Sequence, residues 1–128
     1  MNSIEELVKS IEIEFNAGQT KDFGLPTDHP YPLKSVTFPV AYGELPGYVA
    51  EDADNLDFLL GDVSEGHSGY IIVDRGEYGK EHKMFVNVSQ EQITQIEEAY
   101  QPVLIATEVF EQSEQILRYI ERFKANSA

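Results

Sequence analysis

The chain has 128 residues, 41% of them apolar, no cysteine, and a formal charge of −14 from 23 acids against 9 bases. That length suits one domain, spanning 1–128, with one core. The missing cysteines exclude disulfides and thiolate metal sites, and the charge disfavours nucleic acid and anionic lipid as partners because like charges repel.

No apolar run nears the ~18 residues of a membrane span. The N-terminus lacks the basic start and long apolar stretch of a secretory signal, so the cytoplasm is the expected location. Residues 3–15 read as a helix. Ser3 and Glu6 fit a capping box, and Ile4, Leu7, Val8, Ile11 and Phe15 recur at helical spacing before a stop at Ala17-Gly18. Residues 22–35 hold three of the six prolines and read as an ordered loop. Residues 36–42 form a strand whose Pro39 implies an edge or a bulge, and 42–47 read as a tight connection. Four carboxylates then crowd residues 51–57 ahead of Phe58-Leu59-Leu60.

Residues 61–69 read as a loop, 70–73 as a strand, 74–79 as a turn and 83–88 as another strand. Ser89 and Gln92 predict a capping box on a helix over 90–100, with Ile93 and Ile96 inward, and Pro102 ends it. A short strand over 103–106 follows. Val109, Phe110, Ile116, Leu117, Ile120 and Phe123 favour a C-terminal helix with a fraying tail at 124–128. The fold class is α+β: a central β region flanked by helices. A small, twisted, OB-like barrel would remove the exposed edges of so few strands.

The acidic run is the chemical focus. On an extended chain Asp52 and Asp54 point to one side, and a turn at Asn55 returns Asp57 toward them. Three hard carboxylates suit Mg²⁺, Mn²⁺ or Ca²⁺ better than Zn²⁺. Without a cation their repulsion raises a proton affinity or drives them outward. Leu56 and Phe58 to Leu60 anchor the turn in a core. From the residues alone, a cation site and a solvated turn both remain open. An EF-hand is excluded, because a loop starting at Asp52 has Leu56, Asp57 and Val63 where an acid, a glycine and a glutamate are needed. His29, His67 and His82 lack zinc spacing and read as loop or surface histidines. Nucleophile-elbow, P-loop and dinucleotide patterns are absent.

Residues 42–57, YGELPGYVAEDADNLD, resemble the core of the family I soluble inorganic pyrophosphatases. That family has a tyrosine-glycine turn, a proline-containing segment and an Asp-Gly-Asp-Pro-x-Asp signature. Here Ala53 stands for the glycine and Asn55 for the proline, while Asp52, Asp54 and Asp57 remain. A second segment, EYGKEHK at 77–83, resembles the family's acidic-glycine-Asp-x-Lys stretch. Glu81 takes the place of a metal-binding aspartate and Lys83 that of a phosphate-facing lysine. The family's earlier aspartate falls on Gly76, with Asp74 nearby but out of register. Outside residues 36–88 the match thins. The family's N-terminal glutamate, lysine and arginine have no clear counterparts, and its Tyr-Lys pair becomes Tyr100-Gln101.

The resemblance implies a shortened, divergent pyrophosphatase-like domain. It implies Mg²⁺, or Mn²⁺ in its place, on Asp52, Asp54, Asp57 and Glu81. The implied reaction is hydrolysis of pyrophosphate or another small phosphorylated molecule. Asp54, Asp57, Tyr42 and Lys83 carry it, with Asp54 as the base facing the attacking water. Family members commonly assemble, so a homo-oligomer is part of the expectation. The missing basic residues define the rival: a non-catalytic pyrophosphatase-like protein, a binding or structural module whose acidic face meets a basic partner. Tyr42 and Lys83 have ordinary alternatives as a core-edge ring and a solvated charge. Arg75 and Lys80 are basic neighbours without a diagnostic motif.

Overall fold

In the computed structural model, which describes residues 1–125, the first helix, α1, is Ile4–Ser10. Ser3 Oγ accepts the Glu6 N–H, but the Glu6 carboxylate takes the Asn2 N–H, so the capping box is half made. The helix does not reach Phe15. Ile11, Ile13 and Phe15 alternate with Glu12 and Glu14, and that period of two builds strand β1, Glu12–Phe15.

Strands β2 (Thr20–Asp22) and β3 (Ser35–Thr37) form a small antiparallel ribbon that brackets the proline-rich loop. Strand β4, Ala41–Val49, runs through the expected connection at 42–47. Pro46 and Gly47 sit where its register with β5 slips between Leu45 and Val49, and such a bulge tolerates proline. Gly43 is required by close approach: a Cβ there would lie 2.1 Å from the Glu12 carbonyl oxygen of β1. The chain continues through β5 (Asn55–Leu60), β6 (His67–Asp74), β7 (Lys80–Val88), α2 (Gln90–Ala99), β8 (Leu104–Val109) and α3 (Gln115–Tyr119). A 3-10 turn, Ile120–Phe123, extends α3. The capping box of Ser89 and Gln92 is complete on α2. Strands β6 and β7 start earlier than the sequence predicts, and β8 runs on to Val109.

The main sheet has the order β1-β4-β5-β7-β6-β8. Its pairings are antiparallel except for β5 with β7. The order is open, with β1 and β8 as edges, so the expected barrel is not closed. The sheet buries itself by layering instead. One face packs Leu59, Ile71 and Phe85 against Val36 and Phe38 of the ribbon segment and Ile93 and Ile96 of α2. The other packs Leu45, Phe58 and Met84 against Leu7 of α1 and Ile116 and Ile120 of the C-terminal segment. Central strands covered on both faces read as unbroken apolar runs, which accounts for Phe58-Leu59-Leu60 and Met84-Phe85-Val86.

The second face carries a polar chain. His82 Nδ1 lies 2.6 Å from Glu51 Oε2 and Nε2 lies 2.9 Å from the Tyr119 hydroxyl. The ring packs near Tyr70 and Phe123. His82 is therefore a partly buried histidine on β7 with both ring nitrogens partnered, not a loop residue. The tail expected to fray is held at its start: Lys124 bridges to Tyr48, and the Ala125 N–H donates to Gly47 O at 2.8 Å. Residues 126–128 lie outside the described residues. Among the described residues, no helix is long and apolar enough to cross a membrane.

Candidate functional site

Side chains on a strand alternate faces, so each core stripe of the first face can be followed to its end. On β4 it passes from Tyr42 to Glu44, on β5 from Leu59 to Asp57, and on β7 from Phe85 to Lys83 and Glu81. On β6 it passes from Ile71 and Val73 to Arg75, just beyond the strand. The register completes the alignment, because Glu44 faces Asp57, Asp57 lies beside Lys83, and Val73 faces Glu81. One stripe per strand thus changes from apolar to charged at the same level of the sheet. There the proline-rich loop and the acidic turn wall a cleft of about 1070 Å³.

The cleft floor is a chain of ion pairs. Lys83 Nζ donates to Asp57 Oδ2 at 2.9 Å and to the Tyr42 hydroxyl at 2.9 Å, and lies 3.4 Å from Glu81 Oε2. Arg75 Nη1 donates to Asp52 Oδ2 at 2.8 Å and lies 3.3 Å from the same Glu81 oxygen. Asp57, Lys83, Glu81, Arg75 and Asp52 therefore form one alternating line. Tyr42 is buried, stacks on Phe38 at 4.4 Å, and has Lys83 Nζ 5.3 Å from its ring centre. Tyr100 lies on the other side, 5.8 Å from the same nitrogen.

Glu81 is the anomaly in this line. Its side chain is only 2% exposed, and neither carboxylate oxygen accepts a well-formed hydrogen bond. Burial, opposed by Lys83 and reinforced by the neighbouring Asp52 and Asp57, pushes its carboxyl up to about 7. A carboxyl carrying a proton donates to a carboxylate, so a protonated Glu81 serves Asp52. Burial works against ionisation of Asp52, but hydrogen bonds from Glu81, the Asp54 N–H and Arg75 outweigh it and hold Asp52 below its usual range. Burial also opposes charge on Lys83, yet the surrounding Tyr42, Tyr100, Asp57 and Glu81 keep it well above the ordinary lysine range. Burial drives Tyr100 up to about 12. At the rim, burial and the nearby Glu44 raise Glu14.

The acidic turn is tightly folded. Ala50 N–H bonds Asp54 O, Ala53 N–H bonds Ala50 O, and Asp52 Oδ1 accepts the Asp54 N–H at 3.0 Å. Ala53 takes φ 68°, the left-handed region, where the resembling signature has glycine. Asp54 lines the same cleft as Asp57 but is exposed and stands outside the ion-pair line. Asp74 lines the cleft, but its Oδ1 accepts the Gly76 N–H at 2.8 Å and it stands outside the ion-pair line.

The expectation of Mg²⁺ or Mn²⁺ is overturned. Among the described residues, no group of three or more His, Asp or Glu side chains is placed to hold a metal ion. The physical reason is visible in the line of pairs: Lys83 and Arg75 neutralise Asp57, Glu81 and Asp52. Acidic neutralisation by side-chain cations stands where the resemblance implied neutralisation by a metal, so the residues present do not fit that group.

Arg75 and Tyr31 were not singled out by motif. The Tyr31 hydroxyl donates to Asp74 O at 2.6 Å across the cleft mouth. The signal for Arg75 was its parity with Ile71 and Val73, which puts it at the charged end of a core stripe. Tyr31 gave no comparable signal, because its position depends on how a loop folds back.

No family model matches the chain, and no curated protein sequence matches it. Among solved structures, the chain is similar to an inorganic pyrophosphatase from Coxiella burnetii. The identity is 20% and the TM-score 0.52, over 90% of this chain and 93% of that one. A fainter likeness is to an inorganic phosphatase from Anaplasma phagocytophilum, with 14% identity and TM-score 0.48 over 88% and 87% of the two chains. The chain thus has a pyrophosphatase-like α+β fold, and the resemblance seen in residues 42–57 and 77–83 extends to the architecture of nearly the whole molecule.

Proposed function

We propose that this chain is a pyrophosphatase-fold binding module that uses the cleft to hold a ligand rather than to hydrolyse one by a metal-dependent route. The observation behind this reading is the engagement of Arg75 and Lys83 with Asp52, Asp57 and Glu81. Those two cations are not free to clamp a phosphate, and those three carboxylates are not free to gather a metal. The rim adds Glu14, Asp22, Glu44, Asp54 and Glu77 against Lys21, so the approach to the cleft is negative. A ligand bearing ammonium or guanidinium groups, such as a lysine- or arginine-rich segment of a partner, fits that field. A bare phosphate would be repelled.

The second reading is hydrolysis of a small phosphoanhydride. It is favoured by the convergence of Asp57, Lys83 and Tyr42 on one cleft in a chain with this fold. Here Lys83 would hold a phosphate oxygen, Tyr42 would supply a hydrogen bond, and the exposed Asp54 would take the proton of the attacking water.

One set of measurements separates them. Phosphate release is assayed from pyrophosphate, nucleotides and sugar phosphates, with magnesium supplied, beside calorimetric titration with an oligolysine peptide. The binding module predicts release no faster than the blank. It also predicts peptide binding weakened several-fold by Asp54→Asn with Glu77→Gln, and barely by Glu5→Gln with Glu91→Gln. Turnover abolished by Asp54→Asn would overturn it in favour of the hydrolase. Equal loss from both pairs of substitutions would reduce the cleft to general acidity and end the proposal.

A further inference from the structure

The charged floor of the cleft holds one unmet demand, and the tether of Arg75 accounts for it. Glu81 is 2% exposed, and neither of its carboxylate oxygens accepts a well-formed hydrogen bond. A buried carboxylate without hydrogen bonds is costly, so the fold keeps it beside cations. Lys83 lies 3.4 Å away and Arg75 3.3 Å away, but the two are held differently. Lys83 stands on a central strand, 10% exposed, and its nitrogen donates to Asp57 and to Tyr42. Arg75 is 37% exposed, on the solvent side of the floor. It follows the last residue of β6, just before Gly76 turns the chain at φ 68°. From that position a single nitrogen, Nη1, serves both carboxylates. Asp52 Oδ2 takes its hydrogen bond, and Glu81 goes without. Among the described residues, no other side-chain nitrogen of Arg75 has a hydrogen bond or an ion pair. A guanidinium ordinarily presents a fork of N–H groups to its carboxylate partners, and here only one prong of the fork is used.

We infer that Asp52 and Glu81 form a guanidinium subsite, and that Arg75 is its resident plug, displaced by an arginine side chain of a partner. The proposal rests on the reading of the cleft as a site for basic ligands and narrows it to one group. An incoming guanidinium has no tether to the hairpin, so it can set one nitrogen on Asp52 and another on Glu81. It thereby satisfies the carboxylate that Arg75 leaves short. The exchange conserves charge, because one guanidinium replaces another and the floor never holds both carboxylates bare. Arg75 leaves by rotation of its long side chain, at a place already open to water. Its backbone need not move, since the Arg75 N–H stays bonded to Gly79 O at 2.7 Å. An ammonium is a point charge without a fork, so a lysine fills the subsite less well. The plug also taxes binding, because only molecules with Arg75 withdrawn accept the ligand.

Two measurements on the full chain test this, one of them without any partner. Arg75→Ala should lower the midpoint of thermal unfolding, and methylguanidinium at about 10 mM should restore most of that loss. Methylammonium at the same concentration should not, and the unaltered chain should gain from neither. The second measurement is calorimetric titration with hexa-arginine and hexalysine peptides. The unaltered chain should bind hexa-arginine more tightly, and Asp52→Asn should remove the difference. Arg75→Ala should tighten hexa-arginine binding about tenfold. Lys80→Ala deletes the same charge from the same hairpin outside the cleft, and should tighten it less than about twofold. The preference of the unaltered chain between the two peptides is readable even where Arg75→Ala fails to fold. Equal rescue by methylammonium, or rescue by neither cation, would overturn the subsite. So would hexalysine binding as tightly as hexa-arginine. Arg75→Ala binding no more tightly than Lys80→Ala would overturn the plug and leave the basic-ligand reading standing. Rescue by methylguanidinium with neither peptide bound would do the reverse, upholding the subsite and ending that reading.

Discussion

Two polar clusters are built from neighbouring residues of the same two segments. On one face of the sheet, Asp52 of the acidic turn meets Glu81 and Lys83 of β7 through Arg75. On the other face, Glu51 of the turn meets His82 of β7, and His82 meets Tyr119. Parity of the strand sends alternate residues to opposite sides. The outcomes differ. Both ring nitrogens of His82 have partners, and the Glu51 carboxylate also accepts the His82 backbone N–H at 3.2 Å. In the cleft, buried Glu81 lies against Arg75 and Lys83 beside Asp52, and neither of its oxygens accepts a well-formed hydrogen bond. The satisfied cluster fastens the C-terminal segment to the sheet. The unsatisfied one opens into a cavity, where incomplete solvation leaves capacity for a ligand.

Substitution should widen that difference most at Lys83. Lys83→Met strips the cation from Asp57 and Glu81 at once. Removing one partner of a buried ion pair costs about 3–5 kcal/mol, read as a fall in unfolding free energy by urea denaturation at pH 7. A loss below about 1 kcal/mol would mean the line of ion pairs is incidental to the fold.

The next effect belongs to pH. A carboxyl raised from 4.5 to about 7 keeps its proton longer in the folded chain than in the unfolded one. Its contribution to stability is complete below pH 4.5, declines as pH rises to about 7, and is gone above. The span corresponds to about 3 kcal/mol. Glu81→Gln carries no titrating group and should flatten the stability profile between pH 4.5 and 7 by about that amount. Parallel profiles for the two proteins would count against an abnormal Glu81. The smallest effect lies on the far face. Tyr119→Phe deletes one hydrogen bond to His82 and should cost about 1 kcal/mol, with no change in peptide binding at the cleft. A change in binding would show that the two clusters are not separable.

The sequence made some of this legible and hid the rest for definite reasons. Asp52, Asp54, Asp57, Tyr42, Glu81 and Lys83 line one cleft or its floor, because strand parity and register bring the ends of β4, β5 and β7 to one level beside the acidic turn. The expected Mg²⁺ is what the structure overturns. The spacing of carboxylates carries no information about which cations the fold returns to them, and Arg75 arrives from a hairpin end more than twenty residues away. The first helix was extended too far because Ile4, Leu7, Val8 and Ile11 satisfy a helical period while Ile11, Ile13 and Phe15 satisfy a strand period. The shared residue concealed the change. The break of β3 from β4 and the passage of β4 through Pro46 depended on pairing with distant strands, which local turn residues do not report. Closure of the sheet was inferred from too few strands. Covering layers on both faces made closure unnecessary.

Ala53 carries a last consequence. An L-residue held at φ 68° sits about 1–2 kcal/mol above its relaxed conformation, and three hydrogen bonds within residues 50–54 keep it there. With one of those bonds broken, Ala53 gains by leaving the left-handed region, so the turn that bears Asp52 and Asp54 holds its shape less firmly than a turn of relaxed residues would.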